Sequence, residues 1–211
     1  MKIIFLGYGE NGVQCLNELI EENFNIVGVV PRSSDLGDID NKDSVRYLAK
    51  KNSLPIYNHD DIKFLSKSDE HKDVDFLISI QYDRILKNDW LELPTKDTLN
   101  LHFSLLPRLR GCYPTKWAII EEKETGVTLH SIDLGIDSGD ILDQISIPIS
   151  SSETDESLYH KLTKLAFVLF RRNIPKIHKG VFPKRTVQNQ LCSTYHPKEL
   201  PFDGILECSW E

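Results

Sequence analysis

An α/β fold, a mostly parallel twisted sheet flanked by helices, is predicted by three features of this 211-residue sequence. Continuous apolar runs at Ile3-Ile4-Phe5-Leu6, Val27-Gly28-Val29-Val30 and Phe76-Leu77-Ile78 have the character of strands covered on both faces. Between the first two, Val13, Leu16, Leu19 and Ile20 recur at helical spacing, so the chain opens as a β-α-β unit with parallel strands and a right-handed crossover. Finally, Asn100 and His102 fall at the end of an apolar run that a Pro- and Gly-bearing loop terminates. Sites in open parallel sheets gather at such strand ends.

Taken in order, Lys2 to Gly7 is the first strand, Glu10 to Glu22 the first helix and Asn25 to Val30 the second strand. Asp43 to Lys51 and Asp60 to Leu65 carry helical patterning. Phe76 to Ile80 is a short buried strand, and Thr98 to Phe103 delivers Asn100 and His102 to its end. A helix begun near Pro114 closes over Ile119 to Glu124, Gly126 to Ile132 alternates as a strand, and Ile141 to Ile149 is a further β run. Thr154 is placed to cap a long helix, with Asp155 and Glu156 matching its positive end and Leu158, Leu162, Leu165, Ala166, Leu169 and Phe170 forming its buried stripe. Beyond Lys179, residues Gly180, Pro183, Pro197 and Pro201 cut the chain into short pieces, with Thr186 to Gln190 and Thr194 to His196 as paired strands. One domain over residues 1–180 and a short extension over 181–211, a β-hairpin packed on that domain, is the organisation expected. Phe202 and Trp210 are expected to pack there too.

A hydrophobic content of 40% supports a sizeable core. Cys15, Cys112, Cys192 and Cys208 form no CxxC pair, which argues against a zinc site or disulfide framework and fits a reducing cytoplasm. The apolar start is too short for a signal segment, and no stretch approaches the ~18 apolar residues of a membrane span, so a cytoplasmic protein without membrane contact is expected. A net charge of −7 argues against DNA and tRNA. Arg108, Arg110 and Lys116 can nevertheless meet one or two phosphates of a small ligand, where local charge decides.

Gly7-Tyr8-Gly9-Glu10-Asn11-Gly12 matches a dinucleotide-binding turn, yet the second strand ends in Val30-Pro31-Arg32 where such a fold places an acid for the ribose. Arg32 leaves an NADP-linked reductase as a rival. The plainer alternative is a tight turn packing helix on sheet, with Gly9 and Asn11 facing a substrate phosphate at the helix end. His130 lies on a strand without such a loop and is read as structural. Asp133, Asp137 and Asp140 occupy a glycine-containing loop that lacks the ligand series of a calcium loop; solvated turn acids are the alternative. Asn100, His102 and Asp137 combine an amide that can hold a carbonyl oxygen, an imidazole that can take a proton and a carboxylate that can orient it. Those types suit acyl transfer without a metal, although a strand histidine is more often a core residue.

Asn100-x-His102, Ser104-Leu105-Leu106-Pro107-x-x-Arg110-Gly111, Pro114, Gly126-Val127-Thr128 and Asp137-x-Gly139-Asp140, in that order, closely resemble the folate-dependent formyltransferases. That group includes enzymes acting on methionyl-tRNA, glycinamide ribonucleotide and amino sugars. The resemblance implies a Rossmann-like formyltransferase fold, Asn100, His102 and Asp137 as catalytic residues, and N10-formyltetrahydrofolate as donor with no metal. The pterin is implied beside Gln81, Tyr82, Asp83, Ile85 and Leu86 and the loop bearing Asp133, Gly139 and Asp140. Residues 111–119 and 193–198 look more like the sugar N-formyltransferases, which implies a nucleotide-linked amino deoxysugar as acceptor. Gly9, Asn11, Ser104, Arg108, Arg110, Tyr113 and Lys116 are its expected contacts. The further tRNA-binding domain of the methionyl-tRNA enzymes has no counterpart in residues 181–211, and a homodimer stays open. A non-catalytic nucleotide-binding module of the same fold is the remaining rival.

Overall fold

The computed structural model describes residues 1–32, 44–69 and 71–199. Its order is β1 (Lys2–Gly7), α1 (Gly9–Glu21), β2 (Asn25–Pro31), α2 (Val45–Lys51), α3 (Ile62–Leu65), β3 (Phe76–Ile80), α4 (Asn88–Leu91), β4 (Asp97–His102), β5 (Arg110–Gly111), α5 (Pro114–Glu121), β6 (Glu124–Ser131), β7 (Ile141–Pro148), α6 (Asp155–His178) and β8 (Tyr195–His196). Short 3-10 turns cover His59–Asp61 and Gln190–Cys192. The main sheet runs β2-β1-β3-β4-β6-β7. Its first four strands are parallel, whereas β6 is antiparallel to both β4 and β7.

Side-chain alternation along β1 divides the core in two. Ile3 and Phe5 join α1, α2 and α6 on one face, while Ile4 and Leu6 meet Ile62 and Leu65 of α3 and Trp90 of α4 on the other. Every residue of β3 is buried, as its central place requires. The alternating exposure of β7 marks the sheet edge. Helix α6 starts as its composition dictates: Thr154 accepts the Ser157 N–H, and the Ser157 hydroxyl accepts the Thr154 N–H. Its buried stripe then crosses the sheet.

Up to α6 the expected elements recur with boundaries shifted by at most three residues, and α4 and β5 are additions. Ser44 caps α2; Asp43, like Phe202 and Trp210, lies outside the described residues. The hairpin expected from Thr186 to Gln190 and Thr194 to His196 does not form. Thr186 exchanges both backbone bonds with Ile141, Gln190–Cys192 curls into a 3-10 turn, and β8 pairs in parallel with β5. Hydrogen bonds that a hairpin would use internally go instead to the start of β7 and to β5. Among the described residues no helix is long and apolar enough to cross a membrane.

Phe170 is fully buried where α6 meets the core. Phe170→Ala is expected to destabilise the protein by about 3–5 kcal/mol, the cost of removing a large core ring and leaving a cavity. Urea unfolding followed by far-UV circular dichroism measures it.

Candidate active site

Strand β4 lies between a parallel and an antiparallel neighbour, and the cleft opens at its carboxyl end. Register places Asn100 directly opposite His130 of β6. The Asn100 amide nitrogen is 3.0 Å from His130 Nε2, and His130 Nδ1 is 2.8 Å from the Ser131 carbonyl. A carbonyl can only accept, so Nδ1 carries the proton and Nε2 accepts the Asn100 N–H. Burial pushes the pKa of His130 down to about 4, against the partial pull of Asp137 upward. At neutral pH this imidazole is therefore an uncharged acceptor. One Asn100 N–H is spent on it, and the second is the group that can meet a ligand oxygen.

His102 is held from behind. Its Nε2 donates to the Leu109 carbonyl at 2.8 Å, which leaves the lone pair on Nδ1, 3.5 Å from Asp137 Oδ2. The hydrogen bond that orients the ring thus comes from Leu109 rather than from Asp137, whose contribution is charge at close range. Asp137 Oδ1 is also 3.6 Å from His130 Nε2, and Oδ2 accepts the Gly111 N–H at 2.9 Å. Burial alone would raise the Asp137 pKa, but His102, His130, the Gly111 amide and Arg110 together hold it below the usual carboxylate value.

The backbone around this centre is strained. Gln81, Leu109, Tyr113 and Asp137 all adopt left-handed φ angles between 50° and 57° without being glycine. Such positions cost of order 1–3 kcal/mol each and persist where surrounding contacts over-determine them. For Leu109 those contacts include its N–H bond to Thr194 Oγ1 at 2.8 Å.

A cleft of about 1090 Å³ surrounds Asn100, His102 and Asp137. Of the other residues expected to bind ligand, Gln81, Tyr82, Asp83, Ile85, Leu86, Asp133, Tyr113 and Lys116 line it. Burial raises the Tyr82 pKa to about 12, and its hydroxyl bonds His59 at 3.1 Å. Seven expected contacts are not part of this wall. Arg110 is buried, giving Nε and Nη2 to Gln188 and Nη1 to Gln190, so its guanidinium is not available to a phosphate. Asn11 is fully buried against α6, donating to the Thr163 carbonyl, and buried Ser104 donates to the Arg108 carbonyl. Arg108 pairs with Glu122. Gly139 packs on the Ser131 carbonyl, where a Cβ would come within 2.0 Å, while Asp140 accepts the Ser131 N–H through its own carbonyl. Gly9 is the first residue of α1, at φ +68°, beside Tyr8, which does line the cleft.

Arg32 bears on the reductase alternative. It is bound to Asp83 at 2.6 Å and lies over the Tyr8 ring, so its charge is already engaged where a 2′-phosphate would need it. Gly12 packs against Val45, as a helix-packing turn requires. Among the described residues no group of His, Cys, Asp or Glu is arranged to hold a metal ion.

Sequence reasoning missed His130, Gln188, Tyr159 and Tyr195. Pairing β4 with β6 in the observed register would have exposed His130 as the partner of Asn100. Tyr159 and Tyr195 line the cleft from α6 and β8, and no local pattern announces that.

The formyl transferase family profile matches residues 1–174. The bifunctional polymyxin resistance protein ArnA of Wigglesworthia glossinidia brevipalpis is 34% identical over 212 residues, covering 98% of this chain and 32% of ArnA. The methionyl-tRNA formyltransferase of Clostridioides difficile is 32% identical over 208 residues, 93% of this chain and 65% of that protein. The chain thus spans about a third of the first relative and just under two thirds of the second. Among solved structures, the N-formyltransferase from Helicobacter canadensis, in complex with folinic acid and dTDP-3-aminofucose, superposes with a TM-score of 0.80 at 28% identity. That match covers 94% of this chain and 71% of the other.

The state of His130 sets a pH dependence. Its folded pKa, about 4, lies below the usual 6.5, so the unfolded chain binds the extra proton between those values and stability falls as pH drops through that window. Wild-type protein is expected to lose roughly 2–3 kcal/mol of unfolding free energy from this group between pH 6.5 and 4. His130→Gln should flatten that part of the curve, as measured by denaturant unfolding at a series of pH values.

Proposed function

This chain belongs to the formyl transferase family, and on that basis we propose that it moves a formyl group from N10-formyltetrahydrofolate to the amine of a nucleotide-linked amino deoxysugar. The observation that carries the reading is the meeting of Asn100, His102 and Asp137 in one cleft, with Asn100 aimed by a neutral His130. Ligand pockets usually measure about 300–1,000 Å³. A cleft of about 1090 Å³ has room for a donor and an acceptor together.

The donor suits the side of the cleft formed by Gln81 to Leu86, where the chain leaves β3 as irregular backbone, with Ile85, Leu86 and Ile136 as apolar surface. When bound, it supplies an activated formyl carbonyl. The free Asn100 N–H is placed to meet the oxygen on which charge develops. His102 Nδ1 takes the proton of the attacking amine, since Nε2–H is committed to Leu109. Asp137 stabilises the resulting imidazolium, whose proton passes to N10 as the C–N10 bond breaks and tetrahydrofolate leaves.

Tyr8, Tyr113 and Tyr195 offer ring faces for a base or sugar, and Lys116 and Lys198 offer charge for a diphosphate in place of the buried Arg110. The Helicobacter canadensis protein, solved with folinic acid and a dTDP-linked amino sugar, supports the same pairing of ligands. Similarity to methionyl-tRNA formyltransferase favours a second reading, methionyl-tRNA as acceptor. The net charge of −7 weighs against it.

Asn100→Ala is expected to lower kcat by about 10²–10³, the loss typical of one oxyanion donor. His102→Ala should cost about 10²–10⁴, the range for a general base. Tetrahydrofolate release, measured with dTDP- and UDP-linked 3- and 4-amino sugars, methionyl-tRNA and glycinamide ribonucleotide, identifies the acceptor. Near-normal turnover in both folded variants would defeat the site assignment, and release with methionyl-tRNA alone would replace the sugar reading.

A further inference from the structure

We infer that Gln188, which lies outside every helix and strand, is a positioning residue for formyl transfer: its one carboxamide sets the distance between the loop that holds His102 and the loop that carries Asp137. The inference rests on the proposed chemistry. Gln188 is 4% exposed, whereas Val187 beside it is 77% exposed. Its side chain has therefore been drawn inward from a surface segment, and it enters polar surroundings. Nε2 donates to the Asp137 carbonyl at 2.8 Å and the Gly139 carbonyl at 2.6 Å. Oε1 accepts from Arg110 Nε at 3.1 Å and Nη2 at 2.6 Å. Both hydrogens and both lone pairs of the carboxamide are thereby used, which leaves the group a single orientation.

Each side of this bridge leads to a reacting group. Arg110 directly follows Leu109, whose carbonyl fixes His102 Nε2, and precedes Gly111, whose N–H holds Asp137 Oδ2 at 2.9 Å. Asp137 adopts φ +50°, a conformation that needs external support, and Gln188 grips its carbonyl. Without the bridge, the 3.5 Å separation of His102 Nδ1 from Asp137 Oδ2 loses the contact that spans the two loops independently of the pair itself. Position at this scale matters because displacement of reacting groups by about 1 Å can cost 10²-fold in rate.

Two substitutions in the full-length protein separate positioning from simple anchoring of Arg110. Gln188→Ala removes both halves of the bridge. Gln188→Glu keeps the acceptors for Arg110 but replaces the donor nitrogen with an oxygen facing two carbonyl oxygens. Both variants are expected to lower kcat at least tenfold, with KM for donor and acceptor changed less than threefold. In both, hydrogen exchange of the Gly111 amide should accelerate at least tenfold, while the amides of β1 and β3 keep their protection. A Glu variant with kcat within threefold of wild type and unchanged Gly111 exchange would overturn the proposal and leave Gln188 as an anchor for Arg110. Should the Ala variant fail to fold, the Glu variant decides alone. A wild-type protein that releases no tetrahydrofolate with any acceptor defeats the formyl-transfer reading, whereas Gly111 exchange still tests the bridge.

Discussion

The antiparallel pairing of β4 with β6 is the constraint on which the cleft depends. The observed register sets His130 beside Asn100 and ends β6 beside Leu99 and Thr98, from where the following loop folds back to bring Asp137 against His102 and His130. One strand register and one returning loop thereby assemble residues far apart in sequence. On its other side β6 approaches β7 closely at Gly126, where a Cβ would meet the Ile145 carbonyl at 2.0 Å and Leu105 of the loop after β4 at 2.7 Å.

Electrostatics in the centre follow from which effect wins at each group. For His130, complete burial outweighs the nearby carboxylate, and the ring stays neutral. For Asp137, burial opposes the charge, but two imidazoles, a backbone N–H and the Arg110 guanidinium prevail. The same carboxylate thus faces one histidine kept as an acceptor and another whose lone pair is free. Separation of these roles is achieved by the backbone carbonyls that engage the rings: Ser131 takes the Nδ1 proton of His130, and Leu109 the Nε2 proton of His102.

Much of this was legible in the sequence. Apolar runs identified β1, β2 and β3 because buried parallel strands need hydrophobic residues on both faces. Thr154 announced α6 through local hydrogen-bond chemistry. Type and spacing left a core histidine and solvated turn acids open for Asn100, His102 and Asp137, the resemblance to a family picked the three out, and they do converge. His130 was read as structural because its importance arises from the register between strands, which local pattern does not encode. Arg110 was taken for a phosphate ligand because its charge is visible in the sequence, but its partner, Gln188, lies 78 residues away. Ser104 and Asn11 failed for the same reason: a polar side chain near a site can spend its hydrogen bonds inward on carbonyls.

The parallel bridge between β5 and β8 has a consequence for the time at which the site comes into being during synthesis. All of the main sheet and the Asn100, His102 and Asp137 side chains are translated before Gln188, Thr194 and Tyr195. Closing so long a loop adds an entropic cost that local elements do not carry. A nascent chain that has released α6 from the ribosome thus carries Asn100, His102 and Asp137 but lacks the strap across Leu109 to Cys112. Completion of the cleft wall awaits residues 186–196, so the order of translation itself separates the making of the scaffold from the closing of the strap upon it.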